Sequence, residues 1–500
     1  PPPNCFNCLT DFTDEMGKKQ PGYVSSVLVG DPVNIVSGNY SLPVIDLRLK
    51  SRIPLVLSRV YNSLDKSSGP FGPGWSSLFF TRLENITATP SLKLSDGSKV
   101  LFEKQGAVSV SDPAYGLQLS FSDVTNLWAV TNPQGSEWHF DNTGKIIRMA
   151  KACCGRGAAD ALTFEYDARG FLSKVSNPEG QFFNVSNDAN GRITSVTDSA
   201  GRVVTYIYDT DGRLIFCTDP INRMTGYSYD SQSFLTKVTA PGSRTVSIDY
   251  KDLRVTKITF PDGRFSSFDW NINDKTTTLT DPKGVKQVYQ FDESWNLKKF
   301  SNPGTQNEKD FEITGSFVTG YRGPTGATRN YGYDANGLLT SITDSFGKVW
   351  RYEYHPKFRT LTKETDPLNR VWSYSWCPKG NLISATNPMG GMTTFKYDQW
   401  NNLISKTDPL GRVERDEFDA GGNRILRHFD PAGGVASFSY DTRGNLVSIS
   451  DQLGRPIRFE FDLRDRLIKT INPDNSFIVN QYDIEGRLAA KIDSSGRRSE

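Results

Sequence analysis

The chain has 500 residues, too many for one filled hydrophobic core, so we expect either several domains or a repeat architecture. Lysine and arginine number 58 against 56 aspartates and glutamates, and this formal net charge of +2 excludes the strong basic field that gathers nucleic acid or anionic lipid. Aromatic residues make up 12% of the chain, which excludes a disordered protein, and the longest apolar runs are too short to span a membrane.

The first segment, residues 1–28, is polar, begins with three prolines and has no period, so it is interpreted as a linker or an N-terminal arm. The chain opens with Pro1 rather than Met and closes inside a repeat unit, after Gly496. Both ends are therefore expected to be cuts in a longer polypeptide, and a missing targeting signal carries no information.

The second segment, residues 29–150, is predicted to be a β-rich module without regular spacing. It contains four short motifs, which read Gly30-Asp-Pro-Val-Asn34, Ser37-Gly-Asn39, Ser58-Arg-Val-Tyr-Asn-Ser63 and Gly72-Pro-Gly-Trp75. A small-residue insertion, residues 151–160, follows the module.

From residue 161 to residue 500 a pair of an aromatic residue and Asp returns every 20 to 22 residues, with Gly three residues after the Asp. Tyr166-Asp-Ala-Arg-Gly170 and Tyr440-Asp-Thr-Arg-Gly444 are clear copies among sixteen, many of them degenerate. A second turn of the form Asp/Asn-x-x-Gly, such as Asp408-Pro-Leu-Gly411, lies in the middle of each unit. Asp caps such a turn and Gly supplies positive φ at its exit, so both turns predict β-hairpin connections.

The segments between the turns alternate apolar and polar residues, as Trp372, Tyr374 and Trp376 do with Ser373 and Ser375. This period of two predicts antiparallel strands of about six residues with one buried face. The segment from Arg415 to Phe418 breaks the alternation and predicts a bulge or an exposed stretch. Because open sheets seldom exceed roughly ten strands, the meander is expected to wind into a spiral, hollow shell.

The module motifs and the repeats together resemble the RHS/YD-repeat family of bacterial polymorphic toxins. That resemblance implies an all-β shell, related to the teneurin shell and the toxin-complex cocoons, that encloses a C-terminal toxin. In the family a self-cleaving protease-like segment and the toxin follow the shell. Neither is recognisable in this sequence, so the resemblance implies a structural chain rather than an enzyme.

Side chains capable of chemistry are few, and no catalytic, cofactor-binding or metal-binding residue is assigned. His139, His355 and His428 are interpreted as strand or turn residues. The turn from Asp209 to Gly212 begins like a calcium loop but has Pro220 where the closing acid would stand, so it is interpreted as a turn.

Cysteine is the remaining candidate for a metal site or a disulfide. Cys5, Cys8, Cys153 and Cys154 could form a zinc site or a disulfide clasp, although adjacent cysteines are poor ligands for one tetrahedral ion. Isolated thiols are favoured, and whether the four are paired, metal-bound or free stays open. No cofactor is expected.

The favoured hypothesis is a secreted or surface-exposed casing whose partner is its own C-terminal toxin cargo, absent from this chain, with a secretion-system or cell-surface partner for export. The alternative is an adhesion or glycan-binding wall protein, in which exposed aromatic rings bind sugars; buried sheet packing is the favoured use of those rings. No nucleic-acid partner and no membrane span are expected. Two substitutions test the turns: Gly444→Val should destabilise its hairpin, whereas Asn445→Val should be tolerated.

Overall fold

The structure is a computed structural model that describes residues 33–105, 108–111, 116–132, 136–150, 161–315, 317–356, 359–378 and 380–500. The arm 1–28 and the insertion 151–160, with Cys5, Cys8, Cys153 and Cys154, lie outside the described residues. The N-terminal part contains eight strands in three small sheets and one 3-10 turn, Leu78–Phe80. The strands are β1 Ser41–Leu49, β2 Leu55–Asn62, β3 Ser68–Gly69, β4 Gly72–Pro73, β5 Trp75–Ser76, β6 Arg82–Glu84, β7 Ser91–Lys93 and β8 Lys99–Leu101.

All later strands form one antiparallel sheet of 39 strands, in which each strand pairs with the next one along the chain. Six of them precede the YD repeats: β9 Glu103–Gln105, β10 Val108–Val110, β11 Gln118–Ser122, β12 Leu127–Thr131, β13 Glu137–Phe140 and β14 Ile146–Ala150. The sheet therefore begins inside the range 29–150 that the sequence assigned to the module.

The repeats supply the other 33 strands, two per unit. They are β15 Ala161–Tyr166, β16 Leu172–Ser176, β17 Phe182–Asn187, β18 Ile193–Asp198, β19 Val203–Tyr208, β20 Leu214–Thr218, β21 Met224–Tyr229, β22 Leu235–Thr239, β23 Thr245–Lys251, β24 Arg254–Thr259, β25 Phe265–Asn271, β26 Thr276–Thr280, β27 Lys286–Phe291, β28 Leu297–Ser301, β29 Glu308–Thr314, β30 Phe317–Arg322, β31 Thr328–Tyr333, β32 Leu339–Asp344, β33 Val349–Tyr354, β34 Leu361–Thr365, β35 Val371–Trp376, β36 Leu382–Thr386, β37 Met392–Tyr397, β38 Leu403–Thr407, β39 Val413–Phe418, β40 Ile425–Phe429, β41 Val435–Tyr440, β42 Leu446–Ser450, β43 Pro456–Phe461, β44 Leu467–Ile471, β45 Phe477–Tyr482, β46 Leu488–Asp493 and β47 Arg498–Ser499. The prediction of an all-β hairpin meander is confirmed.

A register shift occurs at the aromatic residue of nearly every YD unit, for example between Ser439 and Tyr440. The shift between Glu417 and Phe418 has the same place in its unit. The bulge predicted from the broken alternation at Arg415–Phe418 is therefore present, but it belongs to the repeat and not to that segment. It follows from the hairpin connection, in which a turn ending in a left-handed Gly adds one residue to one strand.

The sheet curves around the N-terminal strands. Leu83 donates its N–H to Gly144 O beside β14, and Thr277 Oγ1 in β26 donates to Ile35 O. Those two contacts are separated by roughly 60 Å of sheet at the usual strand spacing. A segment the length of residues 33–105 is only roughly 30 Å across. It can touch both places only from the concave side, so the face that holds these strands is the inner face of a spiral.

Candidate functional site

Most of the turns are closed by an aspartate at their first position. In the turn from Asp441 to Gly444, Asp441 Oδ1 accepts the N–H groups of Arg443 and Asn445 at 2.9 and 2.8 Å, and Gly444 donates to Asp441 O with φ of +87°. The predicted turn chemistry is confirmed. Where Gly is absent, residues such as Asn222 adopt the same left-handed conformation with φ of 60°.

An arginine after the turn Gly adds an ion pair. Arg213 Nε lies 2.7 Å from Asp209 Oδ2, and Asp209 Oδ1 accepts the N–H groups of Asp211 and Arg213. Partial burial alone would raise the pKa of Asp209, but the hydrogen bonds from Arg213 outweigh it and hold that pKa below its usual range. Residues Asp209–Gly212 thus form a hydrogen-bonded turn, as the sequence predicted.

The aromatic residue of the YD pair has a function that the sequence did not reveal. Tyr208 Oη donates to Ile193 O at 2.6 Å, and Trp270 Nε1 donates to Val255 O at 2.6 Å. The same bond, always to a carbonyl 15 residues earlier, is made by Tyr229, Tyr250, Tyr333, Tyr354, Trp376, Tyr397 and Tyr482. These nine rings thus tie their units to the preceding ones. One feature of the sequence could have indicated this hydrogen bond: some units replace Tyr with Trp, the other aromatic residue that has a hydrogen-bond donor at its far end.

The N-terminal strands are held to the inner face by a buried charged pair. Arg59 Nε donates to Asp46 Oδ2 at 2.7 Å, and the side chains of both are almost completely buried. Tyr206 Oη donates to the same carboxylate oxygen at 2.7 Å, and Arg59 Nη2 donates to Tyr227 Oη at 2.9 Å. The guanidinium carbon lies 4.5 Å from the centre of the Trp75 ring.

Burial opposes the charge of Arg59, but the neighbouring Asp46 carboxylate outweighs it and raises the pKa of that guanidinium. Burial also raises the pKa of Tyr227 to about 12, so its hydroxyl stays neutral. Arg59 and Trp75 belong to motifs that the sequence singled out, whereas nothing in the sequence indicated that Asp46, Tyr206 and Tyr227 would join them.

Successive windings of the spiral meet at a separation of 261 residues. Gln181 Nε2 donates to Thr442 O, Arg202 Nη1 to Leu463 O, and Arg223 Nη1 to Ile484 O, each one 261 residues further along the chain. In each case a residue that follows a mid-unit turn meets the second residue of a YD turn. One winding therefore takes about twelve and a half units.

The inner face differs between the earlier and the later repeats. In β19 the inner residues Val204 and Tyr206 are 1% and 3% exposed, because the N-terminal strands cover them. From residue 339 onward, Leu382 and Ala490 are the only described hydrophobic side chains that are buried. The half-buried inner aromatic residues there are Trp350, Tyr352, Tyr354, Trp372, Tyr374, Trp376, Phe395, Tyr397, Phe438, Tyr440, Phe459 and Phe461.

Asn445 corrects one expectation. It is fully buried, its Nδ2 donates to Asp441 and Asp465, and its Oδ1 accepts from Lys50 Nζ at 2.9 Å. The expectation that Asn445→Val would be tolerated is wrong, because valine would leave these buried polar groups unpaired. The sequence could not show this, since Lys50 is 395 residues away.

The three histidines lie in separate places. His139 sits in β13 and contacts Glu137 at 3.0 Å, and His355 lies at the Asp position of a YD turn. His428 Nδ1 lies 2.7 Å from Asp416 Oδ1 on the paired strand, a contact that the sequence did not predict. Among the described residues no group of three or more His, Cys, Asp or Glu side chains could hold a metal ion. Within the same residues, no helix is long and apolar enough to cross a membrane.

Comparison with known proteins matches three family models. A domain of unknown function, DUF6531, matches residues 30–102, the teneurin YD-shell model matches residues 162–318, and the RHS repeat model matches residues 333–371, 378–413 and 440–476. The two YD-repeat models together cover more than half of the chain. No curated protein matches the sequence.

Several solved structures are similar to the chain. The crystal structure of TcdB2-TccC3-TEV aligns at 12% identity with a TM-score of 0.45 and covers 95% of this chain and 32% of the other. The crystal structure of TcdB2-TccC3 without its hypervariable C-terminal region aligns at 11% identity with a TM-score of 0.45, and the alignment covers 92% of this chain and 32% of the other. The structure of a Tc holotoxin pore from Photorhabdus luminescens aligns at 11% identity with a TM-score of 0.36, and the alignment covers 92% of this chain and 30% of the other.

The chain thus spans about a third of the length of the structures it matches. Its assignment to a family follows from its own YD turns, its hairpin sheet and the repeat models. The chain belongs to the RHS/YD-repeat family.

Proposed function

We propose that this chain is the structural shell region of an RHS-repeat toxin or effector, that it encloses a polypeptide cargo carried C-terminal to it, and that it has no catalytic activity of its own. The observation that carries the proposal is the half-buried aromatic inner face of the repeats from residue 339 onward. In earlier repeats, such as the one that contains β19, the same face is covered by residues 33–105. An equivalent apolar face that no other described residues cover suits a segment of polypeptide that buries its own apolar side chains there.

The chemistry of that face favours a polypeptide with exposed apolar groups over a folded, polar protein. Tyr352 and Tyr374 offer a hydroxyl beside an apolar ring, so they can pack against aliphatic groups and also bond to main-chain groups. The shell would be exported with its cargo and would act outside the producing cell, with a secretion-system or surface partner. The aromatic residues of the YD pairs lie on the inner face, so their placement gives no support to the glycan-binding alternative, which stays a hypothesis.

A protease-protection experiment tests the proposal. A small reporter domain, kept unfolded by core substitutions, is fused after Glu500, and the same reporter is fused before Pro1 as a control. We expect the reporter after Glu500 to be digested more slowly than the one before Pro1. Equal digestion of both would contradict the proposal.

Two variants locate the protection. Trp372→Glu places a charge on the inner face of β35, whereas Ser373→Glu places the same charge on the outer face of the same strand. Only Trp372→Glu should speed digestion of the reporter after Glu500. If both variants act alike, the inner face does not hold the reporter.

A further inference from the structure

Glu364 places a carboxylate on the inner face at a position where many units have an aliphatic residue. It is half-buried in β34 and pairs with Tyr352 in β33 and with Trp372 in β35. Residues that pair directly in an antiparallel sheet lie on the same face, so Glu364 lies among the inner aromatic rings. The aliphatic residues at the same position of other units are Val175, Val196, Val238, Ile258, Leu279, Ile342 and Ile449.

Other charged residues at this position have a partner, whereas Glu364 has none in the described part of the chain. Lys406 Nζ lies 3.4 Å from Glu414 Oε2, and His428 Nδ1 lies 2.7 Å from Asp416 Oδ1, in each case on a paired strand. No hydrogen bond or ion pair to the Glu364 carboxylate is present among the described residues. A charge that is partly removed from water is stabilised when a group of opposite charge binds it.

The cations that lie close to Glu364 along the chain are paired with other residues. Lys363 is on the outer face of β34 and pairs with Glu353 at 2.9 Å. Arg370 Nε donates to Asp366 Oδ2 at 2.6 Å. The cation that completes the Glu364 position therefore comes from elsewhere.

An earlier unit shows which group such a position binds. There the corresponding residue is Cys217, which pairs with Tyr206, and Tyr227 lies in the strand on its other side. The guanidinium carbon of Arg59 lies 5.7 Å from the centre of the Tyr206 ring and 5.3 Å from that of the Tyr227 ring. Its carboxylate partner, Asp46, comes with it from the N-terminal strands.

The Glu364 position has the same aromatic surroundings. The two tyrosine positions around it are occupied by Tyr352 and Tyr374. Burial and then the charge of Glu364 raise the pKa of both tyrosines, so their hydroxyls stay neutral beside the carboxylate. Trp372 supplies an indole, as Trp75 does at 4.5 Å from the guanidinium carbon in the earlier unit. The later unit thus has the rings and, within the sheet itself, the carboxylate.

We propose that Glu364, Tyr352, Trp372 and Tyr374 form a binding site for the guanidinium group of an arginine in the enclosed polypeptide; the identity of this occupant rests on the proposed function. Aromatic faces attract a cation, and a carboxylate accepts two parallel hydrogen bonds from a guanidinium group. Arginine fits better than lysine, because its planar group stacks on a ring and pairs with a carboxylate at the same time. The site gives an otherwise apolar inner face one point of charge recognition.

Binding of a small peptide to the 500-residue chain tests the site directly. The probe is N-acetyl-alanyl-arginyl-alanine amide, and the control is the same peptide with citrulline, which keeps the shape of the side chain but has no charge. Affinities are measured by titration with saturation-transfer NMR. We expect the arginine peptide to bind at least about tenfold more tightly than the citrulline peptide. Equal affinities overturn the proposal.

Two matched variants assign this binding to Glu364. Glu364→Gln keeps the shape of the side chain and removes its charge, so it should weaken binding of the arginine peptide at least about tenfold. Glu353→Gln makes the same change on the exposed outer face of β33 and should bind as the unaltered chain does. Unaltered binding by Glu364→Gln overturns the proposal.

A third variant separates a binding role from a structural one. Glu364→Val introduces the residue that Val196 and Val238 represent at this position, so the variant should melt at the same or a higher temperature and should lose the binding. A lower melting temperature would assign Glu364 a structural role and would count against the proposal.

The reporter fused after Glu500 tests the occupant. Two versions of the unfolded reporter are compared, one with its arginines and one with all of them replaced by glutamine, and thermolysin is used because it cleaves at apolar residues. The version with arginines should be digested more slowly, and this difference should vanish in Glu364→Gln. Equal protection of both versions would overturn this proposal and leave the proposed function intact. If neither version is protected while the peptide still binds, the proposed function fails and the guanidinium site stands.

Discussion

The buried pair of Arg59 and Asp46 gives a prediction whose size follows from its surroundings. Their side chains are 1% and 4% exposed, and Tyr206 and Tyr227 complete the hydrogen bonds around them. Arg59→Met preserves most of the apolar stem but leaves the carboxylate of Asp46 buried without its cation. Loss of one partner of a buried pair costs about 3–5 kcal/mol. The cost should fall on the attachment of the N-terminal strands to the inner face.

Hydrogen exchange measures this attachment locally, which avoids treating a long repeat array as one two-state unit. Amides in β1 and β2 should exchange roughly two to four orders of magnitude faster in Arg59→Met, since about 1.4 kcal/mol corresponds to a factor of ten. Amides in β43 should be unaffected. The matched control is Arg412→Met, which breaks an exposed pair with Asp408 and should cost less than about 1 kcal/mol.

The double variant Asp46→Asn with Arg59→Met should recover part of the loss, because no unpaired charge then remains buried. The reasoning would be refuted if Arg59→Met changed exchange in β1 and β2 no more than Arg412→Met does.

Three further predictions concern the turns and the ring ladder. Gly454→Ala should reduce stability by about 1 kcal/mol, because alanine is strained at the φ of +71° found there. Gly444→Ala should reduce stability further, because a Cβ at that position would also lie 2.2 Å from Lys50 O. Equal shifts of the melting temperature in the two variants would contradict this reasoning. Tyr354→Phe should destabilise its hairpin by about 1 kcal/mol, because it leaves Leu339 O without its 2.8 Å bond, and hydrogen exchange of β33 would reveal the change. The hydrogen bond from Ser495 lowers the pKa of Asp493 from 3.8 to about 2. The stability that this carboxylate gives to the last turn should therefore be complete above about pH 4 and lost as the pH falls through about 2. An NMR titration in which the Asp493 carboxyl group has an ordinary midpoint would contradict this prediction.

Much of the fold was predictable from the sequence because it depends on residues that are close together within each repeat unit. The Asp-x-x-Gly turns, the period of two in β35 and the length of each strand depend on residues within one unit. The same holds for the bulge at Phe418, which follows from the turn chemistry of every YD unit. Because the YD pattern occurs sixteen times, the period can be recognised even though many of the copies are degenerate.

The tertiary structure alone decided how the units meet. The sequence predicted a spiral but not its pitch, because the separation of 261 residues depends on twist and strand tilt summed over many hairpins. It predicted that Arg59 and Trp75 belong to a distinctive motif but not that Tyr206 and Tyr227 would surround them. It also failed at Asn445, whose environment is set by Lys50 and Asp465. Contacts between residues hundreds of positions apart leave no periodic trace in a single sequence, and they decide which arginines are buried and which remain exposed.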